Sequence, residues 1–230
     1  MSTQSPERHL TRHALVDRVF HWLMAATMLA LLATSLVPIA GVQFAWVTPH
    51  WVAGIVLVLA VVFHIVRALF WQSMLSMWIE IADIRDLWLA FLGAFSKAPA
   101  APGKPGKYSL AQKLYHHVIT VITLIASGTG LAMMVKVDTP FWQRDPYWLS
   151  ADTWGIVYVL HGASAVGLIT MIMLHIYFAL RPEKLWYTRS MIKGWMTQKE
   201  YLTNHDASRW KINDPEINDP SITTFPPPDK

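Results

Sequence analysis

Apolar residues along this chain run in blocks too long for the core helices of a soluble domain. Four stretches, Phe20–Ile39, Trp51–Trp71, Leu114–Val135 and Trp154–Leu180, contain no Asp or Glu, and their one Lys or Arg is Arg67. Each is long enough to cross a hydrocarbon core that takes about 20 residues of helix. Backbone groups in lipid must bond within their own segment, so each is expected to be a helix. A fifth stretch, Trp78–Phe95, is different in kind. Ile84, Leu87, Trp88, Phe91, Leu92 and Phe95 recur at helical spacing, while Glu80, Asp83 and Asp86 fall on other positions. Too charged to span, it reads as a helix lying in the membrane interface, with packing on a soluble subunit as the alternative. The expected fold is all-α: an integral membrane four-helix bundle with an interfacial amphipathic helix between spans two and three and a polar C-terminal tail.

Composition supports this and charge orients it. Hydrophobic residues make up 53% of the 230 and charged ones 15%, with a mean hydropathy of +0.32, outside the range of soluble domains. Of nineteen Lys and Arg, three precede span one (Arg8, Arg12, Arg18), six lie from Arg67 to Lys113, and eight lie from Arg181 onward. Only Lys136 and Arg144 lie between spans three and four. The positive-inside rule then puts both termini and the long middle loop of a multi-pass membrane protein in the cytoplasm. The net charge of +4 is a topology signal, and nucleic acid is not an expected partner. The chain divides into a cytoplasmic segment 1–19, a four-span domain 20–180 with the interfacial helix at about 78–95, and a cytoplasmic extension 181–230. A Pro/Gly/Lys connector occupies 98–107. From Asn204 the chain is polar and proline-rich, with INDP repeated, and is expected to lie against a partner or to stay mobile.

Candidate chemistry rests on histidine. His161 and His175 are fourteen residues apart on one span, which places them on nearly the same helical face about 21 Å apart. Imidazole in hydrocarbon is costly and marks a functional site, and a stacked pair suits two haems, one near each membrane surface. By depth, His50 at the outer start of span two pairs with His161, and His21 at the inner start of span one pairs with His175. His64, fourteen residues after His50, is a rival partner for the inner site, and residue spacing leaves both open. His116 and His117 begin span three at the inner depth. His9, His13 and His205 lie outside the spans and are expected to be solvated. Cysteine is absent, which excludes disulfides, iron–sulfur ligation and thioether-bound haem. No zinc-like ligand cluster, nucleophile–base set, phosphate loop or paired-carboxylate site is evident, so the hard chemistry falls to a cofactor.

Five motifs in order then carry a resemblance: DRVFHW at Asp17–Trp22, HWVAGI at His50–Ile55 followed by Arg67, GKYSLAQK at Gly106–Lys113, HGASAVGLITMIMLHIY at His161–Tyr177, and MIKGWMTQKEYLTNHDASRW at Met191–Trp210. Together they resemble the bacterial four-helix di-haem cytochrome b family, and within it the gamma subunits of membrane-bound formate dehydrogenases. The resemblance implies two haem b groups, the outer on His50 and His161, the inner on His21 and His175, with these four histidines as the metal ligands. It further implies a quinone site, for menaquinone or ubiquinone, near the turn into span three. There Ser109 and Ala111 stand where the family motif has Asn and Gly, and Ser109 and Gln112 are the candidate polar contacts, or simply the cap of the helix. Arg18, one turn before His21, is a candidate partner for a haem propionate.

The function so implied is that of an electron-transfer subunit. Electrons from an iron–sulfur subunit, fed by a catalytic molybdenum or tungsten subunit, reach membrane quinone near the cytoplasmic side. The chain carries no catalytic residue of its own, although the quinone reduction site is expected on it. Two other classes are open from the residues: a stand-alone di-haem oxidoreductase acting on superoxide or quinol, and a haem-free anchor or transporter.

Overall fold

The computed structural model describes residues 8–71, 74–95 and 103–212. Four long helices form the membrane bundle: α1 (Leu15–Ile39), α2 (Val47–Trp71), α4 (Leu110–Met134) and α5 (Ala151–Leu180). At 25 to 30 residues each they are about 37 to 45 Å long. α1 ends at Pro38 and Gly41, whose φ of 95° turns the chain back into α2. α4 starts at the Ser109 cap, and α5 runs from the Ser150 cap to Arg181, where Pro182 cannot continue the ladder.

α1 packs on α2 and α4 on α5 as two hairpins, and α2 closes against α4. Met28, Leu57 and Leu168 meet at the centre, with Leu31, Ile119 and Ile122 packed around them. Only 11% of each span's most apolar window is buried, so the outward faces of the bundle are left for lipid. Several hydroxyls inside the spans are satisfied within their own helix. The Thr27 hydroxyl donates to Leu23 O at 2.9 Å and the Thr170 hydroxyl to Val166 O at 3.1 Å, each four residues back.

The face of the bundle that carries the termini bears a second, polar lobe. Strand β1 (His9–Thr11) pairs antiparallel with β2 (Trp195–Thr197), His9 opposite Thr197. Helices α6 (Leu185–Lys193) and α7 (Gln198–Asn204) complete it around Leu10, Met196 and Tyr201, with Trp186, Leu202 and Trp210 packed on them. Residues 9–12 and the extension after α5 are thus one structural unit. Gly194, at φ 90°, caps α6; its carbonyl takes the amides of Arg12 and His13, and a Cβ there would meet Arg18 and His13 O at 3.1 Å.

Arg12 is the hinge pin of this lobe. Its guanidinium, 4% exposed, lies 4.8 to 5.3 Å from the ring centroids of Tyr187, Trp186 and Trp210. It donates to His205 Nε2 at 2.8 Å and to Lys107 O at 3.3 Å. His205 in turn donates from Nδ1 to Gly106 O at 2.7 Å. This corrects the expectation that His205 is solvated: it is buried because its two ring nitrogens join the N-terminal strand to the turn before α4. Residues 204–212 likewise pack into the lobe; the INDP repeats from residue 213 onward lie outside the described residues.

Helix α3 (Ile81–Phe95) carries its acidic face inward. Lys113 Nζ reaches Asp83 Oδ2 at 2.6 Å, and Arg209 grips Asp83 Oδ1 at 2.8 Å and Asp86 Oδ2 at 3.0 Å. With the carboxylates held by the protein, Ile81, Ile84, Leu87, Trp88 and Phe91 face outward, the arrangement of a helix lying at a membrane surface. Burial works to raise the Asp83 pKa, yet hydrogen bonds from Lys113, the Glu80 amide and Arg209 hold it below the usual carboxylate range.

Burial first and the Arg12 charge second push His205 down to about 4 from 6.5. A released segment binds a proton near pH 6.5 and the packed one only near 4, so packing is unaffected above pH 6.5 and weakens as pH falls through that window. His13, lowered to about 3 by burial and then by Arg12 and Lys107, acts in the same direction. We predict that the opening equilibrium of residues 198–210, read by hydrogen exchange corrected for intrinsic rate, rises between pH 6.5 and 5. The limit is about tenfold per pH unit for one histidine. His205→Gln is expected to remove its share of that slope.

Candidate functional site

Two histidine pairs lie between the hairpins at different depths. Near the face opposite the termini, His50 in the first turn of α2 and His161 of α5 have ring centroids 6.4 Å apart. Near the terminal face, His21 of α1 and His175 of α5 are 6.1 Å apart. The antiparallel arrangement produces both, because α5 runs through the full depth and meets α2 at its start and α1 at its start, at opposite ends. His64 does not reach His175. Its ring stacks on Phe20 at 4.7 Å and 11°, and its neighbour across the bundle is His116 of α4 at 6.2 Å.

The separations can be tested against the chemistry of a shared metal. With metal–imidazole bonds of about 2.0–2.1 Å and a ring centre about 1.15 Å behind the ligating nitrogen, two axial imidazoles place their centroids about 6.4 Å apart. Both the outer and the inner pair fit a bis-imidazole haem by this measure. The His64–His116 separation of 6.2 Å is similar, and Phe20 stacks on one face of the His64 ring. A cavity of about 420 Å³ is lined by Ile55, Leu131, Met134, Val135, Trp142 and Gln143, without His50 or His161 in its wall.

What stands behind the rings was not legible in the sequence. Thr34 of α1 has its hydroxyl 2.8 Å from His50 Nδ1, and Thr129 of α4 has its hydroxyl 3.0 Å from His161 Nδ1. Each threonine is on the neighbouring helix of the same hairpin. Gly130, next to Thr129, lets His161 approach: a Cβ there would lie 3.3 Å from His161 Cε1. At the inner pair, the Tyr115 ring lies 5.5 Å from His175 and its hydroxyl donates to Met171 O at 3.1 Å. Helical periodicity places a threonine on a face, but only the packing of two helices decides which imidazole it meets.

The chain's sequence matches the family model described as prokaryotic cytochrome b561 over residues 12–194. The chain belongs to the prokaryotic cytochrome b561 family. It is also 26% identical over 219 residues to the cytochrome b556 subunit of formate dehydrogenase from Haemophilus influenzae, a match covering 90% of this chain and 84% of that one. As a cytochrome b561 family member it is a multi-pass bacterial membrane cytochrome that binds haem b and takes part in electron transfer.

The other residues singled out from the sequence of this cytochrome are placed as follows. Arg18 donates from Nη1 to Ile192 O at 2.7 Å and lies against Gly194, so it ties α1 to the polar lobe. Ser109 and Gln112 form a capping box: the Ser109 hydroxyl accepts from Gln112 N at 3.4 Å, and Gln112 Oε1 accepts from Ser109 N at 2.9 Å. Ser109, Ala111, Asp86, Pro105 and Arg209 help line a cavity of about 210 Å³ at the terminal face. Arg67, the cation after His64, binds Asp17 Oδ1 through Nε at 3.1 Å and Nη2 at 2.7 Å, which locks α2 to the turn of α1 before His21.

Gly130→Val is expected to push on the His161 ring and lower the haem bound per chain. Haem content against protein concentration measures this, with far-UV circular dichroism showing that the helices persist.

Proposed function

We propose that this protein is the di-haem b membrane subunit of a respiratory oxidoreductase, taking electrons from an iron–sulfur partner at one face of the membrane to quinone near the other. The observation that carries the reading is the pair of histidine pairs at two depths, each spaced for a shared metal. His50 and His161 hold one haem b and His21 and His175 the other, and the two groups supply reversible one-electron redox chemistry across the bilayer.

The Lys- and Arg-rich terminal face is the cytoplasmic one, with both termini inside. The opposite face is then periplasmic, and the loop from α4 to α5 there exposes Phe141, Tyr147 and Trp148, aromatic side chains of the kind enriched at protein interfaces. The relative's name makes it one subunit of a formate dehydrogenase. By that likeness this chain sits with an iron–sulfur subunit and a catalytic molybdenum or tungsten subunit.

Quinone, menaquinone or ubiquinone, binds at the cytoplasmic end of α4. The cavity beside Ser109 adjoins the first turn of α4, and Tyr115 against His175 is six residues further on, about 9 Å along the axis. Quinone carbonyls take hydrogen bonds from donors such as the Ser109 hydroxyl and the Gln112 amide NH₂, whose carbonyl oxygen is held by the capping box. Asp83 and Asp86 line the same cavity and offer carboxylates between it and the water at this face.

Two measurements test the reading. His50→Ala or His161→Ala should each remove one low-spin haem, and His21→Ala or His175→Ala the other, while His64→Ala keeps both. Absorption spectra of the purified variants decide this, and one haem per chain in the unaltered protein would overturn it. Ser109→Ala with Gln112→Leu should slow quinone reduction at least several-fold at unchanged haem content. Unchanged turnover and inhibitor binding would move the quinone site elsewhere.

A further inference from the structure

The two histidine pairs differ in what backs their rings. The Thr34 hydroxyl lies 2.7 Å from Ala30 O and 3.0 Å from Leu31 O, and the Thr129 hydroxyl 2.6 Å from Ile125 O and 3.1 Å from Ala126 O. A hydroxyl has a single proton, and in both residues it is committed to the helix backbone. Toward His50 Nδ1 at 2.8 Å and His161 Nδ1 at 3.0 Å each oxygen therefore acts as an acceptor. With the threonine oxygens accepting, both imidazoles carry their proton on Nδ1, which leaves the Nε2 lone pair for a metal.

The inner pair lacks this backing. His21 Nδ1 is buried with no hydrogen-bond partner. On α5, the carbonyl one turn before His175, Met171 O, is taken by the Tyr115 hydroxyl. No threonine, serine or carboxylate stands behind either inner ring among the described residues.

From this asymmetry we propose that Thr34 and Thr129 are positioning residues that fix the tautomer of the outer axial imidazoles and make the outer haem the more reducing of the two. The proposal rests on His50 and His161 being axial ligands. A ligating imidazole that donates its second N–H to an acceptor is a stronger base toward its metal. A stronger donor favours the ferric over the ferrous state and so lowers the reduction potential, one of the levers a protein has over haem. Electrons are then held preferentially at the inner site, beside the quinone cavity. The difference is built from two back-bonded threonines at equivalent places in the two hairpins.

The test is an optical redox titration of the full-length protein in detergent, with His50→Ala and His21→Ala used to assign each potential to its site. The haem that survives in His21→Ala is expected to have the lower potential; if it has the higher one, the proposal is overturned. A protein in which neither histidine variant loses haem would instead overturn the ligand assignment beneath it. Thr34→Val with Thr129→Val should raise the outer potential, shifting the electron equilibrium between the sites by about tenfold, which is 59 mV for one electron. The inner potential should stay put and Thr34→Ser with Thr129→Ser should restore the original value. An outer potential that does not move in the valine variant at full haem content would overturn the proposal. If that variant loses its outer haem, the two single valine variants, each keeping one hydrogen bond, take its place and must show the same upward shift in smaller measure.

Discussion

Hydrocarbon offers no hydrogen bonds, and that constraint organises both the bundle and its site. Every polar group placed between the faces must find a partner inside the protein or become costly. Thr27, Thr34, Thr129 and Thr170 meet the demand within their own helices by donating to carbonyls one turn back. The histidines cannot, because an imidazole has two nitrogens pointing in different directions. One nitrogen of His50 and one of His161 is met by a threonine, and the two rings of each pair face one another across a gap of metal dimensions. The same scarcity of partners that makes an intramembrane histidine expensive makes its remaining lone pair available to a haem.

The polar lobe solves a different problem. Three segments far apart in the chain, the N-terminal strand, the turn before α4 and the extension after α5, must be fixed against one end of the bundle. Among the described residues, Arg12 does this without a carboxylate partner. Three aromatic faces, one imidazole and one carbonyl surround its charge. A buried cation of this kind is sensitive to any new positive charge beside it. A few residues away, Asp83 gathers Lys113 and Arg209 so that α3, α4 and the tail converge on one carboxylate. The start of α4, with its capping box and adjoining cavity, is therefore held by contacts from every part of the lobe. The inner histidine pair lies within two turns of it.

Distance alone does not choose among the histidine pairs of the bundle. His64 and His116 stand as close as the other two pairs, at 6.2 Å, so among the described residues three imidazole pairs join different helices at similar spacing. Their surroundings differ. Phe20 lies flat on the His64 ring, and Arg67, one turn further along α2, is engaged with Asp17 on α1. The α1–α2 contact that brings Phe20 onto His64 is also the one that presents His21 to His175.

Four span-length helices, the amphipathic character of α3 and the two ends at which the span histidines sit were readable from the chain, because all of them follow from the length of apolar runs, a 3.6-residue period and the rise of a helix. Those are properties of one helix at a time. The sequence also placed Ser109 and Gln112 where a capping box forms, since that motif is local. The partner of His64, the threonines behind His50 and His161, and the burial of His205 by Arg12 were decided by the tertiary structure. Each depends on the rotation and register of one helix against another, or on segments up to 193 residues apart, and no periodicity within a segment encodes how it will be turned toward a neighbour.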